Sequence, residues 1–277
     1  MCNFKTLLFT LLIFFIYKNG ISQGTQPDIP MGNYIVLGIG NSKISVSETI
    51  NTSVPYSGWC TATAVEGIFG SEKHYWHIRN AYSFGTITPY QSVLPNKNTE
   101  DAYDENLSIT RYWRFYQNQP QHVYLYAGPV VNTKIGLRFK NGAIGNSAMS
   151  YEGALGVGIA LKTAKYFNIS KKHNKPFKRF KAEATLLLPV VSKIFHPNYL
   201  GISETALSEN RKLIDWSSNY TGYFNSLEYG VSLSYYLKNK NALQLAYKRN
   251  FFGTNPQFNP VKTMNQSIVF KLLFNLK

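Results

Sequence analysis

The last twelve residues of the chain, 266–277, have the sequence QSIVFKLLFNLK. Along them, apolar side chains alternate with polar or mixed ones at a period of two, the spacing at which successive side chains of a β-strand point to opposite faces. One face carries only large apolar side chains, Ile268, Phe270, Leu272, Phe274 and Leu276. The other face carries Ser267, Val269, Lys271, Leu273 and Asn275. The segment is therefore predicted to be an amphipathic strand that continues almost to the last residue.

The same alternation recurs upstream, at 123–139, 152–162 and 227–237. In 227–237 the sequence is LEYGVSLSYYL, which places leucine, valine and two tyrosines on one face and Glu228, glycine, serine and Tyr236 on the other. In a soluble protein the apolar face would pack on a core. In a membrane barrel it faces lipid, and the polar face lines the lumen.

Ten such segments are predicted, at 33–40, 57–69, 74–87, 106–117, 121–139, 148–162, 177–191, 222–238, 241–252 and 266–277. Short joins at 70–73, 118–120 and 239–240 alternate with long ones at 41–56, 88–105, 192–221 and 253–265. Outer-membrane barrels have this layout, with the short turns on the periplasmic side. The joins 141–147 and 163–176 depart from it, which leaves eight or twelve strands as alternatives. The predicted fold class is all-β, an antiparallel transmembrane β-barrel of about ten strands.

Residues 1–22 have the features of a secretory signal peptide. Lys5 precedes the largely apolar run 7–16, and the small residues Gly20 and Ser22 lie before Gln23. Ten apolar residues are too few for a membrane-spanning helix, which needs about 20. The expected mature chain is a single barrel domain, 23–277.

In these features the chain resembles the bacterial outer-membrane β-barrel superfamily, whose members typically end in an amphipathic strand that contains aromatic residues. The resemblance is one of pattern over nearly the whole mature chain, without a motif of any subfamily. It implies a location in the Gram-negative outer membrane. The expected partners are the lipids and lipopolysaccharide of that membrane, and a protein of the envelope is a further candidate partner. Many members end in an aromatic residue where this chain has Lys277, so Phe274 or Phe270 would have to be the ring that the assembly machinery recognises.

The face assignment places an unusual share of the 14 acidic residues inside the barrel. Because unpaired carboxylates are costly in a low-dielectric interior, each is expected to pair with an inward cation in an interstrand network. The predicted lumen charges are Glu66, Glu152, Glu183, Glu228, Arg114, Lys134, Arg138, Lys181, Lys248 and Lys271. Eight strands are just wide enough for side chains to fill the interior, so a ten-strand barrel is expected to be largely filled. A structural or accessory role follows, and a narrow, porin-like, anion-preferring pore is the alternative.

The densest charge run is KKHNKPFKR, residues 171–179. It supplies a predicted periplasmic basic turn, made of Lys171, Lys172, Lys175, Lys178 and Arg179. Such a turn either docks on phospholipid head groups or an acidic partner, or is simply solvated.

No motif of an enzyme or of a cofactor site is present: there is no GxSxG elbow, P-loop, dinucleotide fingerprint or HExxH pair. His74 and His77 are three residues apart, hence on opposite faces of a strand, and are expected at the membrane interface rather than on one metal. The omptin proteases are similar in their ten-strand architecture and use acidic residues and a histidine near the outer rim. A barrel enzyme of this type is therefore the second alternative function. Its candidate residues are Asp101, Asp104, His196 and Asp215. The preferred expectation is a protein that is not an enzyme and needs no cofactor.

Net charge limits the classes of binding partner, and the cysteine content limits disulfide formation. Losing Lys5 and Lys18 with the signal lowers the formal net charge from +15 to +13. After export the anions within reach are lipid and lipopolysaccharide phosphates, so nucleic acid is not an expected partner. Cys2 would leave with the signal, and Cys60 alone cannot form an intramolecular disulfide.

Overall fold

The structure is a computed structural model that describes residues 32–48, 55–90, 99–141, 149–168, 179–195, 217–220, 226–254 and 261–276. These residues form eleven strands: β1 Asn33–Glu48, β2 Tyr56–Gly70, β3 His74–Pro89, β4 Glu100–Asn118, β5 Val123–Lys140, β6 Met149–Phe167, β7 Phe180–Phe195, β8 Ser217–Tyr220, β9 Ser226–Tyr236, β10 Ala242–Thr254 and β11 Val261–Leu276. Among them there is no helix long and apolar enough to cross a membrane.

The strands close into a ring in which all pairings are antiparallel. The seam joins the first strand to the last, from Asn33 opposite Leu276 to Glu48 opposite Val261. β9 pairs with residues 180–187 of β7 and β8 with residues 191–194, so the two short strands share one place in the wall. The wall therefore has ten positions: β1 to β7 occupy positions 1 to 7, β9 with β8 position 8, β10 position 9 and β11 position 10. The predicted ten-strand barrel is confirmed, and the alternatives of eight and twelve strands are excluded.

Several strands are longer than the sequence pattern predicts. β1 continues to Glu48 instead of residue 40, and β11 begins at Val261 instead of residue 266. In this part of β1 the polarity is reversed, because Ile44 and Val46 are buried inside while Ser47 is exposed outside. Beyond the lipid the outer face of a barrel contacts water, so an extended strand there lacks the lipid-facing apolar row by which strands were recognised. Four residues of the predicted loop 192–221 also form a strand, β8.

The two ends of the barrel differ. One end, where β1 starts and β11 finishes, carries the described turns of three to five residues, at 71–73, 119–122 and 237–241. We call it the short-turn end, and we call the opposite end the loop end. Gly70 adopts a φ of 138° before the first of these turns, a conformation that favours glycine. Its N–H donates to the Asn33 side chain at 3.0 Å, which ties this turn to the first strand.

The outer surface carries an apolar belt between two groups of exposed aromatic rings. Trp76 and Trp113 lie near the short-turn end, with the guanidinium of Arg111 5.1 Å and 5.3 Å from their ring centres. Trp59 and Phe84 lie toward the loop end. Between them the exposed side chains are mostly leucine, isoleucine and valine. This order of aromatic, aliphatic and aromatic residues is the one that transmembrane barrels present to a bilayer.

The interior has three levels. Buried tyrosines form a tyrosine layer at the short-turn end: Tyr34, Tyr75, Tyr112, Tyr124, Tyr126, Tyr166 and Tyr236. An apolar cluster lies at the loop end: Ile44, Val46, Tyr56, Cys60, Ile87, Ala102 and Val261. Charged side chains occupy the space between these two groups.

Candidate functional site

The charged level of the lumen is organised around five buried carboxylates, four of which are the predicted Glu66, Glu152, Glu183 and Glu228. The fifth is Asp104. Each of the five lies within 3.4 Å of at least one cation. The inward strand faces bring these groups together because residues two apart on a strand point into the same lumen.

Glu228 holds the contact that spans the barrel. Its Oε1 lies 2.7 Å from Nη2 of Arg79, and its Oε2 lies 2.9 Å from Nζ of Lys248. Arg79 stands on β3 at wall position 3, while Glu228 stands on β9 at position 8, directly across a ring of ten. Arg79 also donates to Oδ1 of Asn106 at 3.1 Å. The lumen is therefore crossed at this level by side chains in contact.

Glu66 on β2 connects the neighbouring strand β3 with β11, which lies on the far side of β1. Its Oε1 lies 2.6 Å from Nζ of Lys271 on β11, and its Oε2 lies 2.9 Å from Nε2 of His77 on β3. The expectation that His77 lies at the membrane interface is wrong, since its ring faces inward onto this carboxylate. His74, three residues earlier, is exposed on the outer side.

Glu183 lies closer to the tyrosine layer and takes two cations on one oxygen. Its Oε1 is 2.7 Å from Nζ of Lys162 and 2.6 Å from Nζ of Lys181. The Lys162 ammonium also lies 5.4 Å and 5.6 Å from the ring centres of Tyr75 and Tyr112. These rings hold the ammonium by cation–π attraction in a place that bulk water hardly reaches.

The side of the network nearer the loop end rests on Glu152 and Asp104. Oε2 of Glu152 lies 3.3 Å from Nη1 of Arg138, and its Oε1 accepts a hydrogen bond of 2.7 Å from the hydroxyl of Thr263. Nζ of Lys134 lies 3.4 Å from Oδ2 of Asp104. The last predicted cation, Arg114, is separate from this network, because it pairs with Glu72 near the short-turn end and covers the ring of Tyr124.

Sequence reasoning missed Arg79, Lys162, His77 and Asp104 as members of the network, and Asp104 precedes the predicted strand 106–117. Lys162 is the last residue of the predicted strand 148–162, where the alternation puts it on the same face as Glu152. Arg79 and His77 lie in the predicted strand 74–87. Their inward direction could not be predicted, because both faces of β3 carry aromatic rings, Tyr75 inside and Trp76 outside. A strand without a polarity difference gives no signal for which face is the lumen.

Two cavities lie on either side of the pairs made by Glu66 and Arg79. The larger, about 110 Å³, extends to the tyrosine layer and the short-turn rim. The smaller, about 50 Å³, lies toward the loop end. Glu66, Arg79, Lys248 and Lys271 line both, so they form the partition between them. Among the described residues no group of histidine, cysteine, aspartate or glutamate is arranged to hold a metal ion.

Comparison with known proteins gives a fold and no sequence family. No family model matches the chain, and no curated protein matches it. Among solved structures, the outer membrane protease OmpT from Escherichia coli superposes with a TM-score of 0.50 at 9% identity, over 92% of this chain and 99% of that one. The chain has the fold of the bacterial outer-membrane β-barrels. The translocator domain of the autotransporter NalP from Neisseria meningitidis aligns over 98% of this chain and 95% of that one at 10% identity, with a TM-score of 0.41. Neisserial surface protein A aligns over 88% and 100% at 10% identity, with a TM-score of 0.33.

In this outer-membrane-type barrel the two described acids considered for catalysis, Asp101 and Asp104, lie on opposite faces of β4. Asp104 lies in the lumen against Lys134. Asp101 stands on the outer face, where its Oδ1 accepts a hydrogen bond of 2.9 Å from the hydroxyl of Thr86. His196 and Asp215 lie outside the described residues.

The predicted basic turn lies mostly outside the described part of this outer-membrane-type barrel. Lys171, Lys172, Lys175 and Lys178 fall there, as does the predicted signal peptide. The backbone N–H of Arg179 donates to the Asn168 side chain at 2.8 Å, and its guanidinium donates to the hydroxyl of Tyr235 at 3.2 Å. Arg179 is thereby held against the wall at the short-turn end.

Proposed function

We propose that this protein is a closed-lumen barrel of a Gram-negative outer membrane, with a structural or accessory role as part of an envelope complex. The observation that carries the proposal is the ion pair between Arg79 and Glu228, which joins opposite sides of the wall. A barrel that conducts freely keeps its centre filled with water, whereas here side chains meet in the centre.

The filling on either side of this pair supports the same role. The tyrosine layer lies on one side, where the rings of Tyr75 and Tyr126 contact edge to face at 5.5 Å. The apolar cluster lies on the other, and its Ile87 is fully buried. An interior packed at three levels stiffens the wall and leaves the outer surface and the loops to meet lipid or partners.

The location rests on the fold and on the outer surface. Exposed aliphatic side chains between two sets of aromatic rings suit a bilayer, including the lipids and lipopolysaccharide of the outer membrane. The signal peptide predicted at 1–22 would deliver the chain there. Fractionation of cells tests this: the protein should co-sediment with the outer membrane and migrate faster on gels when unboiled than when boiled. A soluble, heat-insensitive protein would contradict the location.

Planar bilayers test the closed lumen. The purified mature barrel should insert without giving stable open channels, while an established porin prepared in the same detergent gives steps of current. Reproducible channels in the unmodified protein would contradict a closed lumen.

A narrow anion-preferring pore is the second candidate, favoured by the charge balance of the lumen. Among the described inward residues of the network, cations outnumber carboxylates by seven to five. The cations are Arg79, Lys134, Arg138, Lys162, Lys181, Lys248 and Lys271, and the carboxylates are Glu66, Asp104, Glu152, Glu183 and Glu228. Excess positive charge along a pore favours anions. Channels whose reversal potential in a salt gradient is anion-selective, and changes when Lys134 and Arg138 are replaced by methionine, would support this candidate.

The accessory role predicts a protein partner in the envelope. Co-purification from native membranes in mild detergent should recover it. Reversing the charges of Lys171, Lys172, Lys175 and Lys178 should weaken recovery if the basic turn forms part of the contact. Unchanged recovery would remove that turn from the interface.

The proposal also holds that the barrel is not an enzyme. Peptide and lipid substrates incubated with the purified protein should remain intact. Hydrolysis that disappears when His196 or Asp215 is replaced by alanine would instead support an enzyme at the outer rim.

A further inference from the structure

We propose that the larger cavity, between the tyrosine layer and the partition formed by Glu66 and Arg79, binds a small oxyanion of the phosphate or carboxylate class. We call it the oxyanion cavity. Its key lining residues are Arg79, Lys162, Lys181, Lys248, Lys271 and Tyr166. This site goes beyond the closed-lumen role and does not depend on it.

The charge around the cavity favours an anion. Five cationic side chains line it, against the two carboxylates Glu66 and Glu183. Glu228 contributes a third negative charge from beside it, through its pairs with Arg79 and Lys248. The five cations therefore outnumber the three local carboxylates by two. A buried excess of positive charge is costly unless a counter-ion binds beside it.

Two hydrogen-bond donors of the lining lack partners. The hydroxyl of Tyr166 is buried, with the whole residue 1% exposed, and no described residue accepts from it or donates to it. Nε of Arg79 is likewise buried without a partner among the described residues. Buried donors are normally satisfied, so a group that accepts hydrogen bonds is expected to occupy this space. An oxyanion accepts several and also neutralises charge.

The dimensions limit the ligand to a small one. The cavity of about 110 Å³ is several times the roughly 10–15 Å³ needed for one water molecule. Tyrosine rings line it, and Nζ of Lys181 lies 5.5 Å from the ring centre of Tyr166, which holds one cation beside this ring. A polymeric anion such as a glycan or a nucleic acid does not fit this space.

Access is expected from the short-turn end. Gly32, Gly70 and Ser71, with small or absent side chains, line the cavity at that rim. On the loop-end side the partition closes it. In the proposed membrane orientation the ligand would therefore enter from the periplasm.

Calorimetric titration of the detergent-solubilised mature barrel tests the site, with inorganic phosphate and acetate as probes and chloride at matched ionic strength as the blank. Saturable binding of at least one oxyanion is expected. Tyr166→Phe removes only the free hydroxyl and should weaken that binding roughly tenfold or more, as the loss of a hydrogen bond to a charged group does. Lys162→Met should weaken it further by removing charge.

Lys134→Met is the matched control, because it removes a buried lysine that pairs with Asp104 and does not line the cavity. Its affinity should equal that of the unmodified barrel, and heat-modifiable migration should show that every variant is folded. Absence of saturable binding by the folded barrel overturns the proposal, as does equal affinity in folded Tyr166→Phe. Channel conductance would contradict the closed lumen without affecting this result, so failures of the two proposals are distinguishable.

Discussion

Arg79 on β3 and Glu228 on β9 meet across the full width of the barrel, with Nη2 2.7 Å from Oε1. Strand pairing links only neighbours around the wall, whereas this contact links positions that the ladder leaves farthest apart. It therefore places side chains across the lumen and braces opposite walls with one ion pair.

Removing both side chains should open a path. In the double variant Arg79→Ala, Glu228→Ala, the crossing pair is replaced by two methyl groups, and the two cavities should merge. We expect channel steps in planar bilayers where the unmodified barrel gives none. Arg249→Ala is the control, because Arg249 lies on the outer face against Tyr229 and Phe251. If the double variant gives no more channel steps than that control, other side chains close the lumen without the crossing pair.

Single changes at the same pair should differ in their cost to stability. Glu228→Gln leaves both Arg79 and Lys248 buried without their carboxylate, and breaking a buried pair in this way costs about 3–5 kcal/mol. Arg79→Met should cost less, because Glu228 keeps Lys248. Urea unfolding in lipid vesicles, followed by tryptophan fluorescence, gives both free energies of unfolding. The reverse order would mean that Arg79, and not Glu228, is the centre of the cluster.

Cys60 should report whether the loop end is closed. It is 3% exposed within the apolar cluster and has no disulfide partner. In a chain that starts at residue 23, maleimide should label it only after denaturation. Ser47→Cys in a Cys60→Ser background is the comparison, since Ser47 is exposed on the outer face near the same end. Fast labelling of Cys60 in the folded barrel would disprove the closed cluster.

Gly158 should be required for the wall, because β6 comes unusually close to β7 there. A Cβ at this position would overlap the carbonyl oxygen of Leu188, beside the register shift between Val157 and Gly158. We expect Gly158→Ala to lower the fraction of protein that migrates as folded barrel on unboiled gels. Gly253→Ala should fold normally, since the nearest atom of a described residue, the carbonyl oxygen of Val261, is 3.9 Å from its added Cβ. Equal yields for the two variants would contradict the close approach.

Alternating polarity was sufficient to predict the strands that face lipid on one side and the lumen on the other. Leu233 and Ser234 show why, because they are neighbours in the chain and lie in opposite environments. The pattern failed where the outer environment changes from lipid to water, as in β1 around Ile44. It also cannot say which charged side chains meet across the lumen. Arg79 and Glu228 are 149 residues apart, and only closure of the ring brings them together.

The seam between β1 and β11 affects how the molecule is made. The other pairings along the wall join consecutive strands, except that β8 lies between β7 and β9 in the chain, whereas this one unites Asn33 with Leu276, 243 positions away. Because such distant contacts form slowly, closure is expected to be the late step of assembly. A chain that stops before β11 would keep two unpaired strand edges, and such edges recruit other chains. The edges of β1 and β10 are thus covered only once β11 has been made, and a truncated molecule would be an aggregation hazard in the cell envelope.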